Sequence, residues 1–173
     1  RVFASGDKTS SLWREELTTL LEENLKQQSH TRIEKVPTDN IDLNFINILW
    51  LLDPKKKRIS NLTYTSTLRK TDFVLCVPGT SWTHRPFEAA VSGAIPILES
   101  YLLPFYEIPF ADGENCLLIK SQNNKANWIE VLNRVLSMDE FEIMKMRKNL
   151  HKLTENYLDL NQYRRKLVKK IIG

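Results

Sequence analysis

The side chains best suited to chemistry stand in one turn, where a strongly apolar segment ends and a helical pattern begins. Arg85 and Glu88 are three positions apart at the start of this pattern, so both face the same way. Arg85 supplies a permanent charge and a fork of donors that fits a diphosphate. Glu88 can accept hydrogen bonds from two ribose hydroxyls. Spacing alone leaves two interpretations open: a nucleoside diphosphate site, or a salt bridge at a helix start with Glu88 favoured by the helix dipole.

A second turn, Ser5-Gly6-Asp7, also follows an apolar segment and precedes a helical pattern. Its backbone N–H groups could bind a phosphate. It contains one glycine, so it matches neither a P-loop nor the Gly-x-Gly-x-x-Gly fingerprint. The turn therefore argues against NTPases and nicotinamide-dependent enzymes.

Other polar residues near the first turn have simpler explanations. His84 precedes Arg85 and could donate to a phosphate, but a surface or helix-capping role is favoured. Trp82 is better explained by packing or by covering the loop than by stacking on a base. The segment Asp112-Gly113-Glu114 could contact a sugar, although its composition favours a β-turn.

Composition excludes several classes of protein. The chain has 173 residues, 42% of them hydrophobic, which suits one globular domain with its own core. Cys76 and Cys116 both lie in apolar runs, so we expect two buried, reduced thiols rather than a disulfide scaffold or a thiolate zinc site. The scattered histidines and the lack of an Asp-x-Asp motif predict no metal site. No apolar run approaches the roughly 18 residues of a membrane span.

The positive charge is concentrated towards the end of the chain. The net charge is +4, and residues 141–173 contain 9 Lys or Arg against 3 Asp or Glu. A basic tail suggests nucleic acid or an acidic membrane surface. These bases are spread around a helix without an RNA-binding motif, so we expect a solvated helical face and no nucleic-acid partner. We expect the tail helices to pack through the apolar residues Met144, Leu150, Leu153, Leu167, Val168 and Ile171. If the apolar face of the last helix is left exposed, we expect a homodimer.

Hydrophobic periodicity predicts alternating strands and helices. Predicted strands cover residues 2–4, 31–36, 72–77, 94–98 and 115–119, and residues 59–63 form a further strand or a loop. Predicted helices cover residues 10–28, 41–52, 84–92, 126–136, 140–154 and 160–172, with a short helix around Leu68 and a Pro-rich loop over 101–114. Gly93 suits the position after a helix end. This order predicts an α/β fold: a Rossmann-like, mostly parallel sheet with helices on both faces. In such sheets ligands bind at the carboxyl ends of the strands, where both turns lie.

Four short motifs lie between Tyr64 and Phe105. They are Phe73-Val74-Leu75-Cys76-Val77-Pro78-Gly79 after Leu68, Arg85-x-x-Glu88-Ala89, Gly93-Ala94-Ile95-Pro96-Ile97, and Leu103-Pro104-Phe105. Together they resemble the nucleotide-sugar-binding half of exostosin-like glycosyltransferases, which have the GT-B fold. More loosely, the strand through Gly6 and the pattern Arg14-x-x-Leu17 resemble the first strand and helix of that family. The last 50 or so residues carry no signature of it.

The resemblance implies that residues 1–173 form a single donor-binding domain, the C-terminal half of a GT-B fold. Since the chain starts on a strand without Met, we interpret it as part of a longer two-domain protein. The substrates implied are a nucleoside-diphosphate sugar and a hydroxyl acceptor such as a glycan, with no cofactor and no metal. A general base is expected from the N-terminal domain, so the isolated domain should be inactive. Polysaccharide biosynthesis is the role implied.

By the same resemblance, Arg85 binds the diphosphate and Glu88 the ribose, with Arg14 assisting on the diphosphate. The other donor-binding residues implied are Gly6, Gly79, Thr83 and His84.

Departures from the family pattern bear on the reaction. The family often has Pro-x-Gly where this chain has Pro78-Gly79, and a Ser where it has Thr83. Retaining GT-B enzymes commonly carry a second Glu eight positions before the one that matches Glu88. That position is Thr80, so an inverting reaction is favoured.

Two other functions stay open. One is a non-catalytic α/β module that binds a nucleotide or a partner. The other, a phosphatase or nucleotidase, lacks a nucleophile motif. We expect a cytoplasmic location, or the Golgi or ER lumen if the source is eukaryotic.

Overall fold

The computed structural model describes residues 2–6, 19, 31–34, 48–52, 61–76, 83–120 and 125–159 of the chain. Six strands and five α-helices lie within these ranges. The strands are β1 (Val2–Gly6), β2 (Thr31–Glu34), β3 (Ile48–Leu52), β4 (Phe73–Leu75), β5 (Ile95–Glu99) and β6 (Leu117–Ile119). The helices are α1 (Asn61–Arg69), α2 (Arg85–Val91), α3 (Leu103–Tyr106), α4 (Lys125–Ser137) and α5 (Glu140–Tyr157). A 3₁₀ turn, Ser100–Leu102, leads into α3.

All six strands form one parallel sheet in the order β2-β3-β1-β4-β5-β6. The chain starts at β1, builds the β3 and β2 side, and then returns past β1 to build the β4, β5 and β6 side. The point where the strand order reverses lies between β1 and β4. In open α/β sheets ligands bind at the carboxyl ends of the strands at this point. The predicted fold, including the parallel pairing of β4, is confirmed.

One predicted helix is wrong. Residues 41–52 were expected to be helical because they are almost continuously apolar, but Ile48–Leu52 form β3. This strand has a parallel neighbour on each side, β1 and β2. A continuous apolar run suits an interior strand as well as a buried helix, so periodicity does not separate the two.

The segment 59–63 is also corrected. Neither a strand nor a loop forms at Asn61–Thr63, because these residues make the first turn of α1. Thr65 and Thr67 donate their hydroxyls to the carbonyls of Asn61 and Thr63, both at 2.8 Å. These bonds to the preceding helical turn accommodate side chains that otherwise favour strands.

Among the residues whose burial is described, the core includes β4, β5 and β6. Phe73, Leu75, Ile95 and Ile97 are at most 2% exposed. Both cysteines are free and buried, as predicted.

Helix α5 begins at a capping box. The Asp139 side chain accepts from the amide of Glu142 at 2.8 Å, and the Glu142 side chain accepts from the amide of Asp139 at 3.3 Å. Helix α5 packs through Met146, Leu150 and Leu153, which share one helical stripe.

The expected core role of Met144 is wrong. Its side chain is 55% exposed, because position 144 lies on the opposite side of α5 from the buried stripe. The predicted core residues Leu167, Val168 and Ile171, and the predicted helices over 10–28 and 160–172, lie outside the described elements. Among the described residues, no helix is long and apolar enough to cross a membrane.

Candidate functional site

The turn that enters α2 is held by local hydrogen bonds. The Thr83 hydroxyl accepts from the amide of Arg85 at 3.3 Å, and the His84 carbonyl accepts from the amides of Phe87 and Glu88. Pro86 lies in the first helical turn, where its missing N–H costs nothing. Arg85 therefore stands at the first residue of the helix that follows β4.

His84 occupies the position just before α2 and is exposed. Its side chain makes no capping bond to the helix. The bond to the Arg85 amide comes from Thr83 instead. Of the two roles favoured for His84 from the sequence, the surface position is the one that the structure shows. At the other end of α2, Gly93 has a φ of +81°, as expected for a residue that ends a helix.

Glu88 is exposed and is contacted from a second helix. The Tyr64 hydroxyl, on α1, donates to Oε2 of Glu88 over 3.0 Å. Tyr64 is half-buried and packs against the hydrophobic core. Sequence reasoning missed this contact. Its only local signal is the spacing of Tyr64 and Leu68, four residues apart on one face of α1.

The charges of Arg85 and Glu88 act on two buried groups, Tyr64 and Cys76. Burial raises the pKa of Tyr64, with Arg85 opposing the shift and Glu88 adding to it. Burial likewise raises the pKa of the Cys76 thiol, and again Arg85 opposes and Glu88 adds. Arg85 and Glu88 thus act on the same buried surroundings from the first turns of α2.

An aromatic contact joins α2 to the segment after β5. The Phe87 ring meets the Tyr106 ring edge to face, with centroids 5.4 Å apart and planes at 89°. Burial raises the pKa of Tyr106 to about 12, against an opposing effect from the Thr83 backbone. Tyr106 is the last residue of α3, a short helix within the Pro-rich segment that was expected to be a loop. Through Tyr106, α3 supports the beginning of α2.

Glu99, the last residue of β5, is a further carboxyl group that sequence reasoning missed. It is 1% exposed, and neither oxygen has a hydrogen-bond partner among the described residues. Burial raises its pKa to about 7. The Tyr101 hydroxyl is close enough to oppose this shift, although the two groups do not meet hydrogen-bond geometry.

The acidic turn after α3 has a structural role. Asp112 accepts from the amide of Leu118 at 2.9 Å and pairs with Arg134 at 3.4 Å. Gly113 has a φ of +74°, which favours glycine. These contacts fit the β-turn favoured from the sequence.

Of the residues predicted to bind the donor, the structure brings Thr83, His84, Arg85 and Glu88 together at the start of α2. Gly6 is the last residue of β1, which pairs in parallel with β4, so it lies at the same edge of the sheet. Arg14 and Gly79 lie outside the described residues, as do Thr80 and Trp82. Within the described ranges, no three His, Cys, Asp or Glu side chains come close enough to hold a metal ion.

Comparison with known proteins agrees on the fold. No protein-family model matches the chain, and no curated protein matches it. The structure is similar to "Trehalose-6-phosphate from E. coli bound with UDP-2-fluoro glucose", with a TM-score of 0.60 and 13% identity over 98% of this chain. It is also similar to an alpha,alpha-trehalose-phosphate synthase (UDP-forming) from Burkholderia vietnamiensis, with a TM-score of 0.62 and 14% identity over 98% of this chain.

A third similar structure is the C-terminal domain of a glycosyl transferase group 1 family protein from Francisella tularensis. It has a TM-score of 0.57 and 16% identity, over 92% of this chain and 87% of that domain. The fold is that of the C-terminal half of a GT-B glycosyltransferase. The chain spans 43% and 44% of the lengths of the first two structures, so it corresponds to less than half of each.

Proposed function

We propose that this chain is the donor-binding domain of a glycosyltransferase that takes a nucleoside-diphosphate sugar. The observation that carries the proposal is the position of Arg85 and Glu88. Both stand on the first turns of α2, directly after β4, beside the point where the strand order of a GT-B-like sheet reverses. A cation and an anion one helical turn apart match a diphosphate and a ribose.

In this proposal each residue meets a different part of the donor. Arg85 binds the diphosphate, and its fixed charge stabilises the negative charge that develops on the nucleoside diphosphate as the sugar leaves. Glu88 accepts hydrogen bonds from the ribose hydroxyls. Gly6, Thr83 and His84 line the same edge of the sheet, and Arg14 and Gly79 complete the proposed donor site. The reaction would need no metal because Arg85 supplies the positive charge.

The remaining features concern the longer protein to which this domain would belong. We propose an exostosin-like, inverting enzyme in which an N-terminal domain supplies the general base and the sugar is transferred to a glycan or another hydroxyl acceptor. A non-catalytic nucleotide-binding module would give the same donor-binding results. Sugar transfer or donor hydrolysis by the longer protein separates the two, since a module that only binds releases no nucleoside diphosphate.

The first test measures nucleotide binding. We expect UDP or GDP to bind the chain, and Glu88→Ala to weaken that binding by about 1.5 to 3 kcal/mol, the range for hydrogen bonds to charged groups. Arg85→Ala should weaken the nucleoside diphosphate more than the free nucleoside, because only the diphosphate carries the charge that Arg85 meets. Isothermal titration calorimetry measures both effects.

Matched controls separate the site from general charge effects. Glu130→Ala and Arg69→Ala remove the same side chains from exposed positions on α4 and α1. We expect both to bind like the wild type. Equal affinity in the wild type and Glu88→Ala would reject the ribose assignment, and the absence of UDP and GDP binding would reject the proposed function.

A further inference from the structure

The hydrogen bond between Tyr64 and Glu88 joins two helices. Tyr64 lies on α1, which precedes β4, and Glu88 lies on α2, which follows it. The 3.0 Å bond therefore joins the two helices that flank β4 in the chain. Glu88 is exposed on α2, so its carboxylate would have several rotamers open to it without such a contact.

The core and α5 hold α1 in place beneath this bond. Leu68, one helical turn after Tyr64, is 2% exposed, and Thr67 is 3% exposed. Just past the helix, the Thr71 hydroxyl bonds the carbonyl of Thr67 at 2.7 Å, and Arg147 of α5 bonds the carbonyl of Thr71 at 2.8 Å. The Tyr64 ring consequently starts from a fixed backbone and is itself half-buried.

The protonation state of Tyr64 suits a permanent donor. Burial raises its pKa, with Arg85 opposing the shift and Glu88 adding to it, so the hydroxyl keeps its proton throughout the physiological range. A hydroxyl has one proton to donate, and here the proton points to Oε2 of Glu88. A carboxylate has about four acceptor positions, so this bond leaves others for two hydroxyls of a ligand.

We propose that Tyr64 is a positioning residue that orients the Glu88 carboxylate to bind the two hydroxyls of a ribose. This inference rests on the proposed function and goes one step further, to selection of ribose over deoxyribose in the nucleotide. Fixing one oxygen of Glu88 before the ligand arrives lowers the conformational entropy that binding would otherwise cost.

The test compares nucleotides that differ only in the ribose. Calorimetry is done with UDP and GDP and with their 2′,3′-dideoxy forms, on the wild type, Tyr64→Phe, Glu88→Ala and the double variant. Tyr64→Phe keeps the ring and removes only the hydroxyl. We expect it to weaken the ribonucleotide about three- to tenfold, as for the loss of one hydrogen bond, and to leave the dideoxy form unchanged. In the Glu88→Ala background, Tyr64→Phe should have no further effect, because residues that act as a unit are not additive.

Each other outcome has a defined meaning. A ribose preference that depends on Glu88 but is equal in the wild type and Tyr64→Phe overturns this inference alone. Equal weakening of the ribonucleotide and its dideoxy form also overturns it, since that is the effect of a purely structural role. Failure of the wild type to bind UDP or GDP overturns the proposed function and the inference with it. Tyr157→Phe, at the last residue of α5, is the matched control and should change neither ligand.

Discussion

At the scale of single residues, burial determines the charge of Glu99. A carboxyl group with an ordinary pKa of 4.5 has a pKa of about 7 at the end of β5, because the ionised form loses its hydration there. Below pH 4.5 both the folded and unfolded states hold the proton, so this group does not make the free energy of unfolding depend on pH. Between pH 4.5 and about 7 only the folded state keeps it, and the free energy of unfolding falls as the pH rises.

Glu99→Gln should remove this pH dependence, because an amide is similar in shape and never ionises. We expect the variant and the wild type to have similar stability near pH 4.5. Above pH 7 the variant should be more stable by on the order of 3 kcal/mol. Urea unfolding at pH 4.5, 6 and 8 measures the difference. The exposed Glu130→Gln serves as the control, and parallel pH profiles for wild type and Glu99→Gln would contradict the prediction.

The candidate site shows which residue-level features the sequence can predict. The sequence singles out Arg85 and Glu88 because their relation is local: three positions on one helix place two side chains on one face. The partner of Glu88 could not be found in this way. Tyr64 lies 24 positions earlier, and only the three-dimensional arrangement of α1 and α2 brings the two together. Glu99 was missed because a charged residue that follows an apolar strand is usually assigned to the next loop.

At the scale of elements, Arg147 ties α5 to the beginning of β4. Its guanidinium donates to the Thr71 carbonyl at 2.8 Å and pairs with Asp72 at 3.0 Å. Thr71 and Asp72 form the short connection between α1 and β4. This one side chain therefore fixes the connection from which both Tyr64 and the site edge of β4 take their position.

Arg147→Ala should lower the free energy of unfolding by about 1.5 to 3 kcal/mol, the range for hydrogen bonds that involve charged groups. The loss of the contact to a backbone carbonyl dominates this effect, since the Asp72 pair is partly exposed and screened. Urea unfolding of Arg147→Ala and of Lys148→Ala, its exposed neighbour on α5, provides the comparison. A variant as stable as the wild type would show that the connection holds without Arg147.

The helices were predicted where turn and cap residues in the sequence mark their ends. Helix α2 lies between a Ser/Thr-rich turn and Gly93, and α5 begins at Asp139 with Glu142 three residues on. The helix predicted over 41–52 failed for the opposite reason, because no signal inside this apolar run marks the start of β3. A strand in the interior of a parallel sheet lacks the alternation that identifies a half-exposed one.

At the scale of the whole molecule, the sheet topology determines where a ligand can meet several elements at once. Strand β1 lies between β3 and β4, so the strand that follows β1 in the chain lies on one side of this point and the strand that follows β4 lies on the other. Ligands of open α/β sheets bind at such a point, and Gly6 and the beginning of α2 lie beside it. The sequence predicted the parallel sheet, but the strand order needs contacts between segments far apart in the chain.

A ligand that binds at this edge of the sheet should stabilise the whole fold. A molecule that binds only the folded state raises its stability by about 2.7 kcal/mol when its concentration is 100 times the Kd. We therefore expect UDP or GDP to raise the Tm in a concentration-dependent manner.

Pyrophosphate should raise the Tm less at the same concentration, because it offers Arg85 a charge but offers Glu88 no hydroxyls. In Glu88→Ala the advantage of the nucleotide over pyrophosphate should shrink, since the ribose loses its acceptor. Equal shifts from nucleotide and pyrophosphate in the wild type would mean that charge alone is bound, and that the edge of the sheet beside α2 does not recognise a nucleoside.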